Sequence, residues 1–235
     1  MPNTSFEYLN PLALYRAELG MDKTELAKIC SAIDVDHFTN HDEATSTDSW
    51  TGDIHGFSNL HAKVEYFSLF TEINKYVWDY VRKLGVNTKE VSLYHTRSWA
   101  VRQSCQQAVA KHNHSQSHIS LVYYPRVPES GKKFVVHFDD NPNEFCPALF
   151  LNNEHRKKGL IDNDAPLGKN GKALKVETDT LLIFPSKTNH SVPSNEGDSK
   201  DVRYSISSDI ICTLNQGVNN YEHLTPSPTI WSKIN

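Results

Sequence analysis

The chain has 235 residues and a formal net charge of −4, and 38% of its residues are hydrophobic. This composition is typical of a globular protein with one or two domains. The acidic balance argues against a broad nucleic-acid surface, and no run reaches the roughly 18 apolar residues that a membrane span needs.

The N-terminal third of the chain is predicted to be helical. The first ten residues have neither a basic nor an apolar stretch, so we expect no signal peptide. Asp22 and Glu25 are typical of a capping box before a first helix, whose apolar face comprises Leu26, Ile29, Cys30 and Ile33. A second helix is predicted to end at Gly85; its stripe comprises Leu60, Val64, Phe67, Phe70, Ile73, Val77, Val81 and Leu84.

From Val91 onward the hydrophobic period changes to two, which predicts β-strands. The segments are VSLYHTRSWAV, HISLVYY, KKFVVHF, CPALFL, DTLLIF and VRYSISSDIICTL. Between them, residues 152–172 form a polar excursion of a length typical of lids or disordered loops. Helices followed by strands indicate an α+β chain, mainly β, whose sheet closes into a jelly-roll or barrel with helices on one face.

Histidines gather at the start of one predicted strand, in KHNHSQSHIS at residues 111–120. His112 and His114 are two residues apart, so on an extended chain both rings face one side. His190 follows the apolar strand TLLIFP, which would carry it to the mouth of a barrel. Arg203 is a lone arginine in an alternating apolar strand, and its planar fork is well matched to a carboxylate. We therefore expect a metal site with an anion site beside it.

The order of these motifs resembles the iron(II)/2-oxoglutarate oxygenases over nearly the whole chain. The nearest pattern is that of a small group that typically reads HxH, SGVYY, LLLFPSxLxHxV and RxSiSFN; here the corresponding residues are HNH, SLVYY, LLIFPSKTNHSV and RYSISSD. The resemblance implies a single oxygenase-like domain over residues 1–235. Residues 1–90 would be mostly helical support, 91–215 a double-stranded β-helix and 216–235 a C-terminal tail.

The resemblance also implies a site with Fe(II) and the cosubstrate 2-oxoglutarate. His112 would be the proximal metal ligand and His190 the distal one. Arg203 would bind the distal carboxylate of 2-oxoglutarate, helped by Ser205 and by Tyr123 or Tyr124. His114 stands where the family usually has a carboxylate. Either the site uses three histidines, or His114 lies behind the metal and a water or another acid completes the ligand set.

Some alternatives stay open at the level of sequence. His137 and Asp139 form a formal H-x-D that competes with His112 and His114, whereas His118 is expected to be a bystander. The resemblance implies hydroxylation of an unactivated C–H bond in a small metabolite such as an amino acid, with a peptide as the other possibility. The alternatives are a cupin-like three-histidine dioxygenase or isomerase without a cosubstrate, and a non-enzymatic jelly-roll binding protein.

The remaining expectations concern location and partners. The four cysteines are far apart and have no C-x-x-C spacing, which is typical of reduced thiols, so we expect a cytoplasmic protein. We expect neither nucleic-acid nor membrane partners. The basic residues of the excursion suit an acidic small molecule or simply a solvated loop. A homodimer through the N-terminal helices is compatible with the sequence, although nothing in the sequence supports it.

Overall fold

The structure is a computed structural model. It describes residues 11–40, 50–51, 59–104, 107–139, 146, 149–150, 153–162, 169–194, 201–218, 221 and 224–234. Its helices are α1 (Lys23–Asn40), α2 (Phe67–Lys83) and the short α3 (Asn153–Lys157). None of the described helices is long and apolar enough to cross a membrane.

Ten described strands form two antiparallel sheets. The strands are β1 (Tyr15–Glu18), β2 (Trp50–Thr51), β3 (Val91–Gln103), β4 (Val109–His112), β5 (Ile119–Arg126), β6 (Lys133–His137), β7 (Gly171–Lys175), β8 (Thr180–Pro185), β9 (His190–Val192) and β10 (Arg203–Leu214). The larger sheet has the order β1-β8-β5-β10-β3-β2, and the smaller sheet has the order β4-β9-β6-β7. From β3 to β10 the chain passes back and forth between the sheets, apart from the pair β6 and β7. This is the double-stranded β-helix, so the predicted fold class is confirmed.

The larger sheet is buried on both faces, because helices cover one face and the smaller sheet covers the other. Along β5, Leu121 and Tyr123 pack into the apolar cluster that contains the helices. Val122 and Tyr124 point the opposite way and pack with Phe134 of β6. The alternation of strand residues thus decides which side chains face the interior of the jelly-roll.

The first predicted helix is confirmed, and the second begins later than predicted. Asp22 Oδ1 accepts from the backbone N–H groups of Thr24 and Glu25 at 2.8 and 2.9 Å, as in a cap. Residues 60–62 and 64–66 form two 3₁₀ turns separated by the extended residue Lys63, and α2 starts only at Phe67. This break changes the helical phase, which is why Phe67 is 70% exposed although it belongs to the predicted stripe.

The long predicted strands are confirmed, but CPALFL is not a strand in its described part. Leu149 N–H donates to Cys146 O at 3.1 Å, so these residues lie in a turn. The sequence also failed to indicate β2, β4, β7 and β9, which have two to five residues and are too short to show a clear alternation. Since β1 and β2 join the larger sheet, the first 90 residues supply two strands as well as helices.

A histidine pair lies between α2 and the larger sheet. His95 Nδ1 is 2.8 Å from Ser208 Oγ, and its Nε2 is 2.8 Å from Asn74 Oδ1 on α2. The ring stacks on His61 with a centroid distance of 5.3 Å and meets Phe70 edge-on at 5.2 Å. Burial and, to a smaller extent, the neighbouring His61 together lower the pKa of His95 to about 4. The folded protein therefore keeps this imidazole neutral in weak acid, whereas the unfolded chain takes up a proton near pH 6.5.

We expect this pair to make the fold sensitive to acid. Because the pKa of His95 is lower in the folded state, the free energy of unfolding should fall as the pH drops from 6.5 towards 4. His95 should account for a loss on the order of 2 kcal/mol. Urea unfolding of the wild type and of His95→Gln at pH 7.0 and 4.5 measures this contribution. The variant should lose less stability than the wild type over this range, and an equal loss in both proteins would contradict the expectation.

Candidate metal centre

Three histidines meet at one end of the jelly-roll. His112 is the last residue of β4, and His190, the first residue of β9, is its partner in the strand register. His114 lies two residues beyond the end of β4. One ligand nitrogen from each ring lies within 4.8 Å of the others, and no other group of three or more His, Cys, Asp or Glu side chains among the described residues has this geometry. The arrangement brings together the three histidines that the sequence singled out.

Backbone carbonyl groups orient two of the three rings. His112 Nδ1 donates to Ala110 O at 2.7 Å, and His190 Nδ1 donates to Thr188 O at 2.9 Å. A neutral imidazole carries only one N–H, so a ring that donates from Nδ1 has a lone pair on Nε2. Both rings therefore present an unprotonated Nε2, the form in which histidine binds a metal.

The third ring is oriented by a carboxylate. His114 Nδ1 donates to Asp209 Oδ1 at 2.5 Å, and His114 Nε2 is buried without a hydrogen-bond partner. A buried polar nitrogen that lacks a partner costs about 1–3 kcal/mol. A metal ion bound at this nitrogen would remove that cost.

The surroundings of the site keep two of its three imidazoles neutral. Burial lowers the pKa of His190 to about 3, and burial also lowers the pKa of His112. Both rings are thus neutral at physiological pH and do not need to lose a proton before they bind a metal. Three imidazole nitrogens of this kind fit a divalent transition metal such as Fe(II).

The histidines line a narrow cavity between the two sheets. Phe134 stacks on His190 with a centroid distance of 5.3 Å, and Trp99 lies 5.5 Å from His114. The other lining residues are Val101, Val109, Val122, Tyr124, Val192, Arg203, Ser205 and Ser207. The cavity is therefore mostly apolar, with a few polar groups at defined positions, which is typical of a small-molecule site.

Arg203 places a buried positive charge in the same cavity. Its side chain is 2% exposed, and its Nη1 donates to Gly131 O at 2.9 Å and to Lys133 O at 3.0 Å. Its guanidinium lies over the ring of Tyr124, 5.5 Å from the ring centroid. Burial lowers the pKa of Arg203, but an arginine keeps its charge. No carboxylate among the described residues pairs with this charge, so the cavity is suited to an anionic ligand.

Comparison with known families agrees with this geometry. Residues 97–209, which include all three histidines and Arg203, match the model of a family described as "Putative 2OG-Fe(II) oxygenase". Residues 97–209 form an oxygenase-like domain that matches this family. The name of the family gives its two cofactors, and the three histidines and the arginine provide one site of suitable chemistry for each. No curated protein has significant sequence similarity to the chain.

Solved structures of oxygenases share the fold of this domain. HygX from Streptomyces hygroscopicus, with nickel and 2-oxoglutarate bound, is 11% identical; the match covers 85% of this chain and 82% of that one, with a TM-score of 0.53. The non-heme alpha ketoglutarate dependent carbocyclase SnoK from nogalamycin biosynthesis is 13% identical, with coverages of 92% and 87% and a TM-score of 0.54. A prolyl-4-hydroxylase from Pseudomonas putida is 8% identical, with coverages of 84% and 86% and a TM-score of 0.50. At these identities the likeness establishes the fold.

The two tyrosines that the sequence analysis grouped together, Tyr123 and Tyr124, face opposite sides of β5. Tyr124 lines the cavity, where burial raises its pKa to about 12 and its hydroxyl has no hydrogen-bond partner. Tyr123 lies on the helix-facing side of β5, and its hydroxyl donates to Asp179 Oδ1 at 2.7 Å. Neighbouring residues of a strand face opposite sides, so only one of them can reach the cavity. Of the two, Tyr124 lines the cavity together with Arg203, whereas Tyr123 does not.

The competing pair His137 and Asp139, and the expected bystander His118, lie outside the cluster of three histidines. His137 is on the outer face of β6, with its Nε2 2.8 Å from Ser191 Oγ. Asp139 forms an ion pair with Lys111 and accepts a hydrogen bond from Asn189. His118 Nδ1 accepts from Cys212 N–H at 3.0 Å. None of these three residues belongs to the group of metal-binding geometry.

Sequence reasoning missed one residue of the site, Asp209. It is an acidic residue in the apolar strand SISSDIICTL, and it is 1% exposed. The argument that drew attention to Arg203, a lone charge in an alternating strand that needs a partner, applies equally to Asp209. That signal was present in the sequence, although it did not indicate which residue the partner was.

Proposed function

We propose that the protein is an Fe(II)- and 2-oxoglutarate-dependent oxygenase that hydroxylates an unactivated C–H bond of a small metabolite such as an amino acid. Succinate and CO₂ are the coproducts, so one atom of O₂ enters succinate and the other enters the product. The observation that carries this proposal is one cavity with two features: three unprotonated histidine nitrogens at one end, and a buried arginine that pairs with no carboxylate of the described residues.

The three histidines would hold the metal. In this proposal His112, His114 and His190 bind through Nε2, with each ring fixed by the hydrogen bond at its Nδ1. Bound iron supplies the activation of O₂, which amino-acid side chains cannot provide. A metal held by three protein ligands keeps other positions open for small ligands.

Arg203 would bind the distal carboxylate of 2-oxoglutarate. Its buried charge is attached to backbone carbonyls only through Nη1, which leaves the remaining N–H groups for an anion. The Tyr124 hydroxyl, buried and without a partner, can donate to the same carboxylate, and Ser205 lines the cavity nearby. The charge of the cosubstrate would thus neutralise the charge of the cavity.

The apolar lining would exclude water from the reacting groups. Phe134 and Trp99 cover two of the histidines, and valine side chains form much of the remaining wall. Exclusion of water strengthens the electrostatic contacts inside a site and prevents side reactions. This wall supports a reaction with a reactive oxidant more than it supports simple storage of a metal.

The chain between β6 and β7 contains the polar excursion of residues 152–172, which in this proposal would act as a lid and help to select the substrate. It leaves the smaller sheet at His137, whose backbone N–H donates to Asn189 O at 2.8 Å, and therefore starts beside His190. Its described residues include Arg156, Lys157, Lys158 and Lys169. Basic side chains on such a lid would favour an acidic small molecule.

Anaerobic titration tests this function. Fe(II) and 2-oxoglutarate added together should give the weak visible charge-transfer band of a chelated complex, and air with the right substrate should then release succinate in equal amount to product. A panel of amino acids and peptides, followed by succinate release, identifies the substrate class. Absence of both the band and metal binding would reject the proposal.

One observation favours a second function, a three-histidine dioxygenase that needs no cosubstrate. The metal-binding group contains three histidines and no carboxylate. Oxygen consumption with a substrate but without 2-oxoglutarate would support this alternative. Arg203 argues for the first proposal, because a site without 2-oxoglutarate has no evident anion for its buried charge.

A further inference from the structure

Asp209 is a carboxylate buried directly behind one of the proposed metal ligands. Its Oδ1 accepts from His114 Nδ1 at 2.5 Å and from Ser120 Oγ at 2.9 Å. Its Oδ2 accepts from Arg97 Nε at 2.7 Å. A buried carboxylate is strongly unfavourable unless such partners surround it. The surrounding donors therefore stabilise this charge, in a place where it contacts one ring of the histidine cluster.

His114 stands where the resemblance to the iron(II)/2-oxoglutarate oxygenases leads us to expect a carboxylate ligand. The three proposed ligands are all neutral imidazoles, so the ligand set itself brings no negative charge to the cation. Asp209 provides that charge through His114. Only the imidazole ring lies between the carboxylate Oδ1 of Asp209 and the unpartnered Nε2 of His114.

We propose that Asp209 is the positioning residue of the metal centre: it holds His114 with Nε2 towards the metal and keeps one negative charge directly behind this ligand. The inference rests on the proposed function, since it takes His114 as a ligand. Asp209 acts through His114, and nothing in the geometry brings its oxygens to the metal itself.

The direction of the hydrogen bond decides the tautomer of His114. An ionised carboxylate can only accept, so the proton must sit on Nδ1 and the lone pair on Nε2. The carboxylate also makes the imidazole a more basic ligand, and loss of such a partner typically reduces metal affinity 10- to 100-fold.

Neighbouring groups hold the carboxylate in place. Arg97 binds its second oxygen and lies over the ring of Trp99, 5.0 Å from the centroid. Ser120 Oγ is 2.8 Å from Ser186 Oγ, and the backbone N–H of His114 donates to Ser186 O at 2.9 Å. The orientation of His114 is thus tied to β5, β8 and β10 together.

The test combines a metal titration with a measurement on the metal-free protein. Co(II) binding is followed by visible absorption in the wild type, Asp209→Asn and Asp209→Leu. The variant Asp34→Asn is the matched control, because Asp34 likewise accepts from an arginine and a hydroxyl, Arg102 and Tyr204, yet contacts no histidine of the cluster. We expect the Kd for Co(II) to rise about 10-fold or more in Asp209→Asn and further in Asp209→Leu, with no change in Asp34→Asn.

The second measurement needs no substitution. Nitrogen-15 NMR of the metal-free wild type reports which ring nitrogen of His114 carries the proton, and we expect Nδ1. A proton on Nε2, or an Asp209→Asn variant that folds and binds Co(II) as tightly as the wild type, overturns the inference. A wild type that binds Co(II) but forms no succinate with Fe(II) overturns the proposed function alone.

Discussion

Replacing His190 with alanine is expected to remove metal binding and, with it, succinate formation. His190 faces His112 across the register of β4 and β9, and its loss leaves two ligands on one side of the cavity. Structural metal sites of four ligands bind with roughly 10–16 kcal/mol, which is on the order of 3 kcal/mol for each ligand. Since 1.4 kcal/mol is a factor of ten, the Kd for Co(II) or Fe(II) should rise at least about 100-fold. Metal titration and succinate release at saturating 2-oxoglutarate measure both effects.

Strand β6, which pairs with β9 on its other side, offers a matched control for this experiment. His137 lies next to His190 on the smaller sheet but on its outer face, where its ring contacts Ser191. His137→Ala should leave metal affinity and succinate formation unchanged. Thermal unfolding of the metal-free proteins shows whether either variant loses its fold. If His190→Ala stays folded and binds metal like the wild type, the assignment of this ligand is wrong.

Replacing Arg203 with leucine is expected to abolish 2-oxoglutarate binding while the metal site stays intact. The guanidinium is the buried positive charge of the cavity, and removal of one partner of a buried charge pair costs about 2–5 kcal/mol. This corresponds to a rise in the Kd for 2-oxoglutarate of roughly 30- to 5000-fold. Arg203→Lys keeps the charge but not the planar fork, so its effect should be intermediate. Isothermal titration with 2-oxoglutarate in the presence of Co(II) measures the difference.

Arg126 is the control for this substitution. Its guanidinium also lies over a tyrosine ring, that of Tyr204 at 5.8 Å, but the side chain is exposed outside the jelly-roll. Arg126→Leu should bind 2-oxoglutarate like the wild type. Arg203→Leu leaves the carbonyl oxygens of Gly131 and Lys133 without their donor, so its stability must be measured separately. Unchanged affinity in a folded Arg203→Leu variant would favour the three-histidine dioxygenase without a cosubstrate.

The long strands, and the order of the candidate metal ligands along the chain, could be predicted from the sequence. β3, β5, β8 and β10 are buried strands of six to thirteen residues, so their apolar composition is visible without any knowledge of the fold. His112 precedes the predicted strand HISLVYY, and His190 follows the predicted strand TLLIFP, so these flanking strands indicated that the two histidines lie at the mouth of the barrel. The smaller sheet was harder to predict, because β9 has three residues and its pairing depends on distant parts of the chain.

Which side chains of a strand face the cavity follows from the alternation of strand residues, and this alternation is visible in the sequence. Tyr123 and Tyr124 are adjacent, so a consistent use of strand geometry would have assigned one of them to each face. The role of Asp209 could not be predicted, because its contact with His114 joins residues 95 positions apart. The late start of α2 also follows from tertiary packing, since the N–H of His61 donates to Ser98 Oγ on β3 at 2.9 Å.

The pairing of His112 with His190 has a consequence for the mechanical behaviour of the smaller sheet. β4 and β9 have only four and three residues, so few backbone hydrogen bonds join them. A cation shared by their two facing histidines would hold these strands together where their backbone ladder is short. Local opening of β4 from β9 would then be rare with the metal bound and frequent without it, whereas the long ladder between β3 and β10 would keep the larger sheet closed in both states.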